Sequence, residues 1–219
     1  MVFPDMPINL SRRAVSLGFL CFLAPALGGA QQGMTDEVVG KVTELSGSAV
    51  AMQDALPRAL KKGADIYIGD VLSTARDSQL SIKMVDEAEF SLSERAVFIV
   101  QEYFLKSDGK DGNAVIRLMT GAVKAVSGKI AQLEGQPFQL RTEVATIGVR
   151  GTTFWGGVLD GTHQFALLSG STIIVENKAG RVEINRPGDG TAVTSDSTAP
   201  FAPSTWAADK LARASAMTP

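Results

Sequence analysis

The segment Thr153–Leu168, TFWGGVLDGTHQFALL, has the pattern of a β-hairpin. Two β-rich runs, Thr153–Leu159 and Gln164–Leu168, flank the dipeptide Asp160-Gly161. Both residues of this dipeptide tolerate positive φ, which a tight type I′ hairpin turn requires. The segment therefore predicts two antiparallel strands joined by a short turn.

Glycines and turn dipeptides recur on both sides of this hairpin, roughly every 8–12 residues. That spacing predicts an all-β fold of about fourteen short strands, arranged as an irregular β-solenoid or a β-sandwich-like roll. Gln79–Met84 alternates polar and apolar residues, as a half-buried strand does. Val97–Val100 is continuously apolar and predicts a strand buried on both faces. Only Leu56–Lys62 and the tail after Ser204 have patterns compatible with a helix.

The N-terminus has the three parts of a secretory signal peptide. Arg12-Arg13 precedes the uncharged stretch Ala14–Leu27, and small residues follow up to Ala30. We expect residues 1–30 to form this peptide, with cleavage after Ala30 and a periplasmic or secreted product. The alternative is a retained membrane anchor, which needs ~20 apolar residues, and Pro25 interrupts the run. After cleavage no membrane span is expected.

Composition excludes several classes of function. The chain has 21 basic and 23 acidic residues, so it lacks the basic face that nucleic-acid binding requires. The one cysteine, Cys21, lies in the predicted leader, so the mature protein would have neither disulfides nor thiolate metal sites. The one histidine, His163, follows the Asp160-Gly161 turn without the spacing of a zinc site, and we interpret it as a turn-edge residue.

Other candidate sites for chemistry fail on their spacing. No G-x-S-x-G nucleophile motif is present, Gly121–Lys129 has the wrong spacing for a phosphate loop, and Asp108 and Asp111 do not follow a calcium-loop register. Four clustered carboxylates could serve glycoside hydrolysis, although a solvated turn is the simpler interpretation: Asp86, Glu87, Glu89 and Glu94. We predict a non-enzymatic protein without a catalytic residue, a cofactor or a metal.

The indole of Trp155 could be either exposed or buried. The two glycines that follow it would leave a flat strand surface, on which the indole could contact a sugar or a protein. The alternative is a core tryptophan. We expect a β domain over residues 36–192 and a Ser/Thr/Ala/Pro-rich tail over residues 193–219 that could form a short helix.

Four segments, taken in order, resemble the FecR domain. They are Gly69–Thr74 (GDVLST), Leu118–Val123 (LMTGAV), Phe138–Phe154 with its run ATIGVRGTTF, and Leu168–Val175 (LSGSTIIV). The residues that match the family's motifs, with a structural or an interaction role, are Gly69, Asp70, Gly121, Gly148, Arg150, Gly151, Thr152 and Phe154.

The GVRGT run also has an interpretation from its residue types. Gly148 and Gly151 allow positive φ or close backbone approach, as found at bulges and corners. Between them, Arg150 has five donors that could reach carbonyls left open at such a corner. Anion binding by Arg150 is the alternative.

The resemblance implies a periplasmic β-rich domain. In the name-giving regulators this domain relays a signal from an outer-membrane receptor to a sigma factor, and a cytoplasmic segment precedes their transmembrane helix. Here only residues 1–13 precede the apolar stretch, so we expect a stand-alone domain. The predicted function is a binding module that engages an envelope protein or polysaccharide. Two alternatives are a peptidoglycan- or polysaccharide-binding module, and a signal-relay protein related to iron-uptake regulators but without the cytoplasmic anti-sigma segment.

Overall fold

The computed structural model describes residues 37–135 and 137–218. The predicted signal peptide, residues 1–30, lies outside this range. In chain order the elements are β1 Val38–Ser46, β2 Ala49–Gln53, β3 Leu56–Ala59, β4 Asp65–Tyr67, β5 Val71–Thr74, β6 Gln79–Met84, β7 Glu89–Leu92, β8 Val97–Leu105, β9 Gly112–Thr120, β10 Ala122–Val126, a 3-10 turn Ile130–Gln132, β11 Phe138–Arg141, β12 Thr146–Leu159, β13 Thr162–Asn177, β14 Gly180–Ile184, β15 Asp189–Val193, β16 Ser204–Thr205 and α1 Ala208–Met217. The predicted all-β class and the short C-terminal helix are confirmed.

The sixteen strands form one hydrogen-bonded sheet. Twelve of them follow the order β3-β2-β5-β8-β9-β11-β12-β10-β7-β6-β1-β4, and β13 to β16 branch from β12. The segment between β3 and β4 brings the two ends of this order together: Leu60 N donates to Ala49 O, and Val42 N donates to Ala64 O, both at 2.9 Å. The sheet is therefore curled, and its strand order confirms neither the solenoid nor the sandwich.

The hairpin predicted at Asp160-Gly161 is the longest ribbon of the sheet. Asp160 has φ +54° and Gly161 has φ +76°, as the turn requires. Strands β12 and β13, of 14 and 16 residues, pair along nearly their whole length. The first half of β12 also pairs with β11 and the second half with β10, so this ribbon connects two regions of the sheet.

The main core lies inside the curl of the sheet. Leu80, Ile82 and Met84 of β6 are buried, which confirms the predicted alternation. The Phe90 ring centroid lies 5.3 Å from that of Phe98 and 6.1 Å from that of Phe138. Burial of each such side chain stabilises the fold by about 1.5–3 kcal/mol.

Strand β8 is buried on one face only, so the prediction for Val97–Val100 is wrong. Phe98 and Val100 are fully buried, whereas Val97 and Ile99 are partly exposed. Within this run the outward-facing Val97 and Ile99 are as apolar as the inward-facing residues, although they are not fully buried. A continuous apolar run consequently gave the misleading signal of two buried faces.

The helical interpretation of Leu56–Lys62 is also wrong, since Leu56–Ala59 is strand β3. Asp54 and Ala55 have φ of +48° and +62°, and they turn the chain so that β3 pairs back onto β2. Pro57 lies in this edge strand, where a missing N–H is tolerated. Tertiary pairing thus overrides the local helical pattern.

The C-terminal tail packs against the sheet and extends it. Strand β15 ends at Val193, one residue beyond the predicted domain boundary, and β16 adds a short pair to it. Phe201 N donates to Ala192 O at 3.0 Å, and Asn177 Nδ2 donates to the carbonyls of Ser195 and Thr198. Within residues 37–135 and 137–218, no helix is long and apolar enough to cross a membrane.

Candidate functional site

The Gly69-Asp70 motif connects β3 and β4, the two strands at the ends of the strand order. Gly69 has positive φ, and the buried Asp70 carboxylate accepts hydrogen bonds through Oδ2 from Tyr67 N at 2.9 Å and Arg58 Nη2 at 2.7 Å. Arg58 also donates to Asp65 O at 2.8 Å, and its guanidinium lies 4.9 Å from the Tyr67 ring centroid. Removal of either charge would leave the other unpaired, and such changes cost about 3–5 kcal/mol at buried sites. The motif therefore stabilises the fold through Asp70 Oδ2.

The GVRGT run forms a corner of the β12–β13 ribbon. Gly151 has φ +59°, and Gly170 on the opposite strand has φ +97°. A Cβ atom on Gly170 would lie 2.3 Å from Gly151 O, so only glycine fits there. The strand register shifts between Thr153 and Phe154, as at a β-bulge. Here the backbones of the two strands approach closely and bend.

The other motif residues lie around this corner or in the core. Thr152 N donates to Ser127 Oγ at 2.7 Å, and Ser127 N donates back to Thr152 O at 2.9 Å, which ties the corner to the end of β10. Phe154 is fully buried. Gly121 has φ +82° in the turn between β9 and β10, whereas Gly148 lies in β12 opposite Gln139.

Arg150 is exposed and donates no hydrogen bond to any described residue. The interpretation of Arg150 as a donor to corner carbonyls is therefore wrong. Ser127 and the strand pairs satisfy the backbone of the corner without it. No described contact favours the anion-binding alternative either.

Trp155 is fully buried, so its indole offers no surface contact in this structure. It lies on the outer side of the sheet, and its ring centroid is 6.0 Å from that of Trp206 in an edge-to-face arrangement. Helix α1 and Trp206 cover it. We call this region the covered face, and its buried residues are Ala122, Trp155, Leu159, Ala166, Trp206 and Ala214.

The carboxylates between Asp86 and Glu94 have structural or surface roles. Asp86 is buried, and its oxygens accept hydrogen bonds from the Tyr103 hydroxyl, from Ala88 N at 3.0 Å and from Ile130 N at 3.1 Å. Burial, together with the adjacent Asp86 carboxylate, raises the pKa of Tyr103 well above its ordinary value, so its hydroxyl stays protonated and donates. Glu94 accepts a hydrogen bond from Asp77 N. The Asp86 carboxylate is buried and its oxygens accept hydrogen bonds from within the fold, so a substrate cannot reach it.

A second apolar region on the outside of the sheet has no cover in the described chain. Val50 is 42% exposed, Met52 43% and Met119 39%, and three half-buried apolar side chains lie between them. We call this region the open face, and its residues are Val50, Met52, Val71, Val97, Ile99 and Met119. The sequence does not reveal this face, because the continuous apolar run Val97–Val100 has the pattern of a strand buried on both faces.

The family of the chain follows from one comparison. The sequence model described as FecR protein matches residues 70–185, which is more than half of the chain. The chain belongs to the FecR family. No curated protein matches the chain.

Two crystal structures share the fold of this FecR domain. Each is described as a "putative anti-sigma factor" from Parabacteroides distasonis ATCC 8503. One is 17% identical with a TM-score of 0.52, and the other is 14% identical with a TM-score of 0.50. Each match covers 65% of this chain and 62% of the other, so the chain spans less than two thirds of their length. At these identities the likeness concerns the fold alone.

The described FecR motifs therefore shape the domain, and the open face lies mostly outside them. Asp70, Gly151 and Phe154 serve a turn, a corner and the core. Among the described residues no group of three or more His, Asp or Glu side chains could hold a metal ion.

Proposed function

We propose that this FecR domain is an exported, non-enzymatic interaction module of the bacterial envelope, and that it binds a protein through the open face. The observation that carries the proposal is the exposed apolar surface across β2, β5, β8 and β9. Monomeric proteins rarely expose large contiguous apolar patches, and such patches mark interaction sites. The predicted signal peptide, residues 1–30, would deliver the domain to the periplasm.

Burial of the open face would provide a favourable free energy of binding. Apolar surface removed from water contributes about 25 cal/mol per Å². Met52 and Met119 add adaptable side chains, which suit a protein surface that must fit a partner. The neighbouring β3 edge is less suited to strand addition, because Pro57 has no N–H to offer there. The open face is therefore favoured over the β3 edge.

A protein partner is favoured over a polysaccharide. Sugar binding commonly uses an exposed aromatic side chain, and both tryptophans of this chain lie on the covered face. The six residues of the open face include no aromatic side chain. The peptidoglycan- or polysaccharide-binding alternative consequently has no support from this surface.

A signal-relay role is the second candidate. Its support is the membership of the FecR family and the shared fold with structures described as anti-sigma factors. In this candidate the protein bound at the open face is a component of an envelope signalling route.

Site-specific photo-cross-linking in cells tests the proposal. A photoreactive amino acid at Met52 is expected to give a discrete protein adduct in the periplasmic fraction. The matched control is the same amino acid at Lys178, which is exposed in the turn between β13 and β14, six strands from β2 in the sheet. Retention of the chain in the cytoplasm would contradict export. Equal adducts at both positions would contradict a role of the open face, and retention on purified peptidoglycan would favour the polysaccharide alternative.

A further inference from the structure

We infer that the open face binds a protein segment with both apolar and acidic side chains, and that Arg117 and Arg141 determine this specificity. The inference rests on the proposed function and deepens it by naming the chemistry of the partner. Its basis is a row of side chains that crosses five neighbouring strands.

The row is defined by strand register. Met52 lies opposite Val71, Val71 opposite Ile99, and Ile99 opposite Arg117. Arg141 then follows as the parallel partner of Arg117. With strands about 4.8 Å apart, the row is about 19 Å long. It therefore runs from an apolar half to a cationic half on one side of the sheet.

The two arginines are adjacent like charges. Both are exposed, and no carboxylate among the described residues forms an ion pair with either. Gln139 Oε1 accepts hydrogen bonds from Arg141 Nε at 3.2 Å and Nη2 at 2.9 Å, which holds this guanidinium on the outer face. Glu102, nearby on β8, accepts a hydrogen bond from Asn113 instead. Like charges directly opposite on neighbouring strands are destabilising, so a bound carboxylate would relieve this repulsion.

Some other cations on the sheet are paired within the domain, whereas the exposed Arg150 on β12 has no ion pair among the described residues. Lys83 Nζ lies 3.2 Å from Glu89 Oε1 on the neighbouring strand, and Arg181 Nη2 lies 2.7 Å from Glu183 Oε1. Arg117 and Arg141 differ from Arg150 because two unpaired guanidinium groups lie on neighbouring strands, next to the apolar half of the row. Charge complementarity thus selects an acidic partner.

A second copy of the chain does not fit this requirement. The open face and its arginine pair include no carboxylate, so two copies in face-to-face contact would bring arginine against arginine or against apolar side chains. Burial of unpaired charges in this way is costly. Since Glu102, the carboxylate near the pair, is already held by Asn113, a different protein is the favoured source of acidic groups.

A membrane surface fits less well than a protein. Recognition of anionic lipid uses clusters of about 4–8 basic residues, whereas this row has two. The formal net charge of the chain is −2, which gives no overall attraction to an anionic bilayer. The apolar half of the row also lacks the exposed aromatic side chains that favour the interface.

Selection from a random-peptide display library on the immobilised full chain tests the inference. We expect enriched peptides to combine apolar residues with Asp or Glu. For a selected peptide measured by fluorescence anisotropy, R117E/R141E should weaken binding about tenfold, and added salt should weaken binding to the unchanged protein. The matched control R150E reverses an exposed arginine beyond the row and should leave affinity unchanged. R117Q/R141Q should give an intermediate loss, and far-UV circular dichroism should show that all variants fold.

Several results would overturn the inference. They are the absence of enriched peptides, peptides without acidic residues, equal binding by R117E/R141E and R150E, self-association through this face in sedimentation, and charge-dependent binding to phosphatidylglycerol vesicles. A Met52 adduct that persists at full strength in R117E/R141E would overturn this inference alone, because the open face would still bind a protein. If no adduct forms at Met52 in the protein that keeps both arginines, the proposed function itself is contradicted.

Discussion

The covered face and the open face are two apolar regions on the outside of one sheet, and they differ in what lies above them. Trp155 is 0% exposed beneath Trp206 and α1, whereas Met52 is 43% exposed. The chain thus provides its own cover for one region. An apolar outer surface in this domain can thus be covered by a segment of the chain, whereas the open face stays partly exposed.

The cover of the first region depends on packing more than on the helix itself. Helix α1 has ten residues, too few for a stable isolated helix, and Ala207 provides no side-chain cap. Small residues at Ala122, Ala166 and Ala214 let the helix approach the indole closely. The helix is consequently held by the tryptophan beneath it and by a few surface contacts.

The largest expected effect comes from the residue beneath the cover. Trp155→Ala should lower the free energy of unfolding by about 3–5 kcal/mol, because it leaves a cavity under α1. Urea unfolding followed by far-UV circular dichroism measures this loss. Met52→Ala is the matched control on the open face and should cost less than about 1 kcal/mol. Equal losses in the two variants would remove the energetic distinction between the faces.

Removal of the cover should convert the covered face into a second open one. A chain that ends at Ala207 loses the buried Ala214 and the partly buried Leu211, and we expect a loss of about 2 kcal/mol in unfolding free energy. Trp155 and Trp206 are the two tryptophans of the chain, so intrinsic fluorescence reports this region alone. Its emission should shift to longer wavelength. An unchanged spectrum would mean that α1 does not shield the indole.

The smallest expected effect concerns the ion pair between α1 and the hairpin turn. The Arg213 guanidinium donates to both Asp160 oxygens, and this contact lowers the pKa of Asp160. A lowered folded-state pKa stabilises the fold above the ordinary value of about 3.9, and this stabilisation is lost as pH falls through the lowered value. The Tm of Arg213→Ala should therefore lie slightly below that of the unchanged protein near neutral pH and converge with it in acid. A difference that grows in acid would contradict this sign.

Much of the fold could be predicted from local patterns. The alternation in Gln79–Met84 and the Asp160-Gly161 turn each depend on residues close in sequence, and the structure confirms both. Leu56–Lys62 was missed because pairing with β2 decides its conformation. The curl of the sheet was missed for a similar reason, since the contact between Leu60 and Ala49 is set by tertiary structure.

Exposure proved harder to predict than conformation. Trp155 is buried because a helix more than fifty residues later in the chain lies over it, and no pattern around Trp155 indicates that contact. The corner backbone at Thr152 is satisfied by Ser127, which lies just after β10, so Arg150 is not needed there. The pairing of Arg117 with Arg141 arises from parallel register between distant strands. Each of these features requires knowledge of which strands are neighbours.

The bent β12–β13 ribbon has a consequence for how the domain folds. The same two strands carry the glycine corner, contribute Phe154 and Phe165 to the interior, and place Trp155 beneath the C-terminal helix. Neither side of the sheet can assemble completely before this hairpin has closed. The interior and the covered face therefore both depend on this hairpin. We expect them to unfold together in a single cooperative transition.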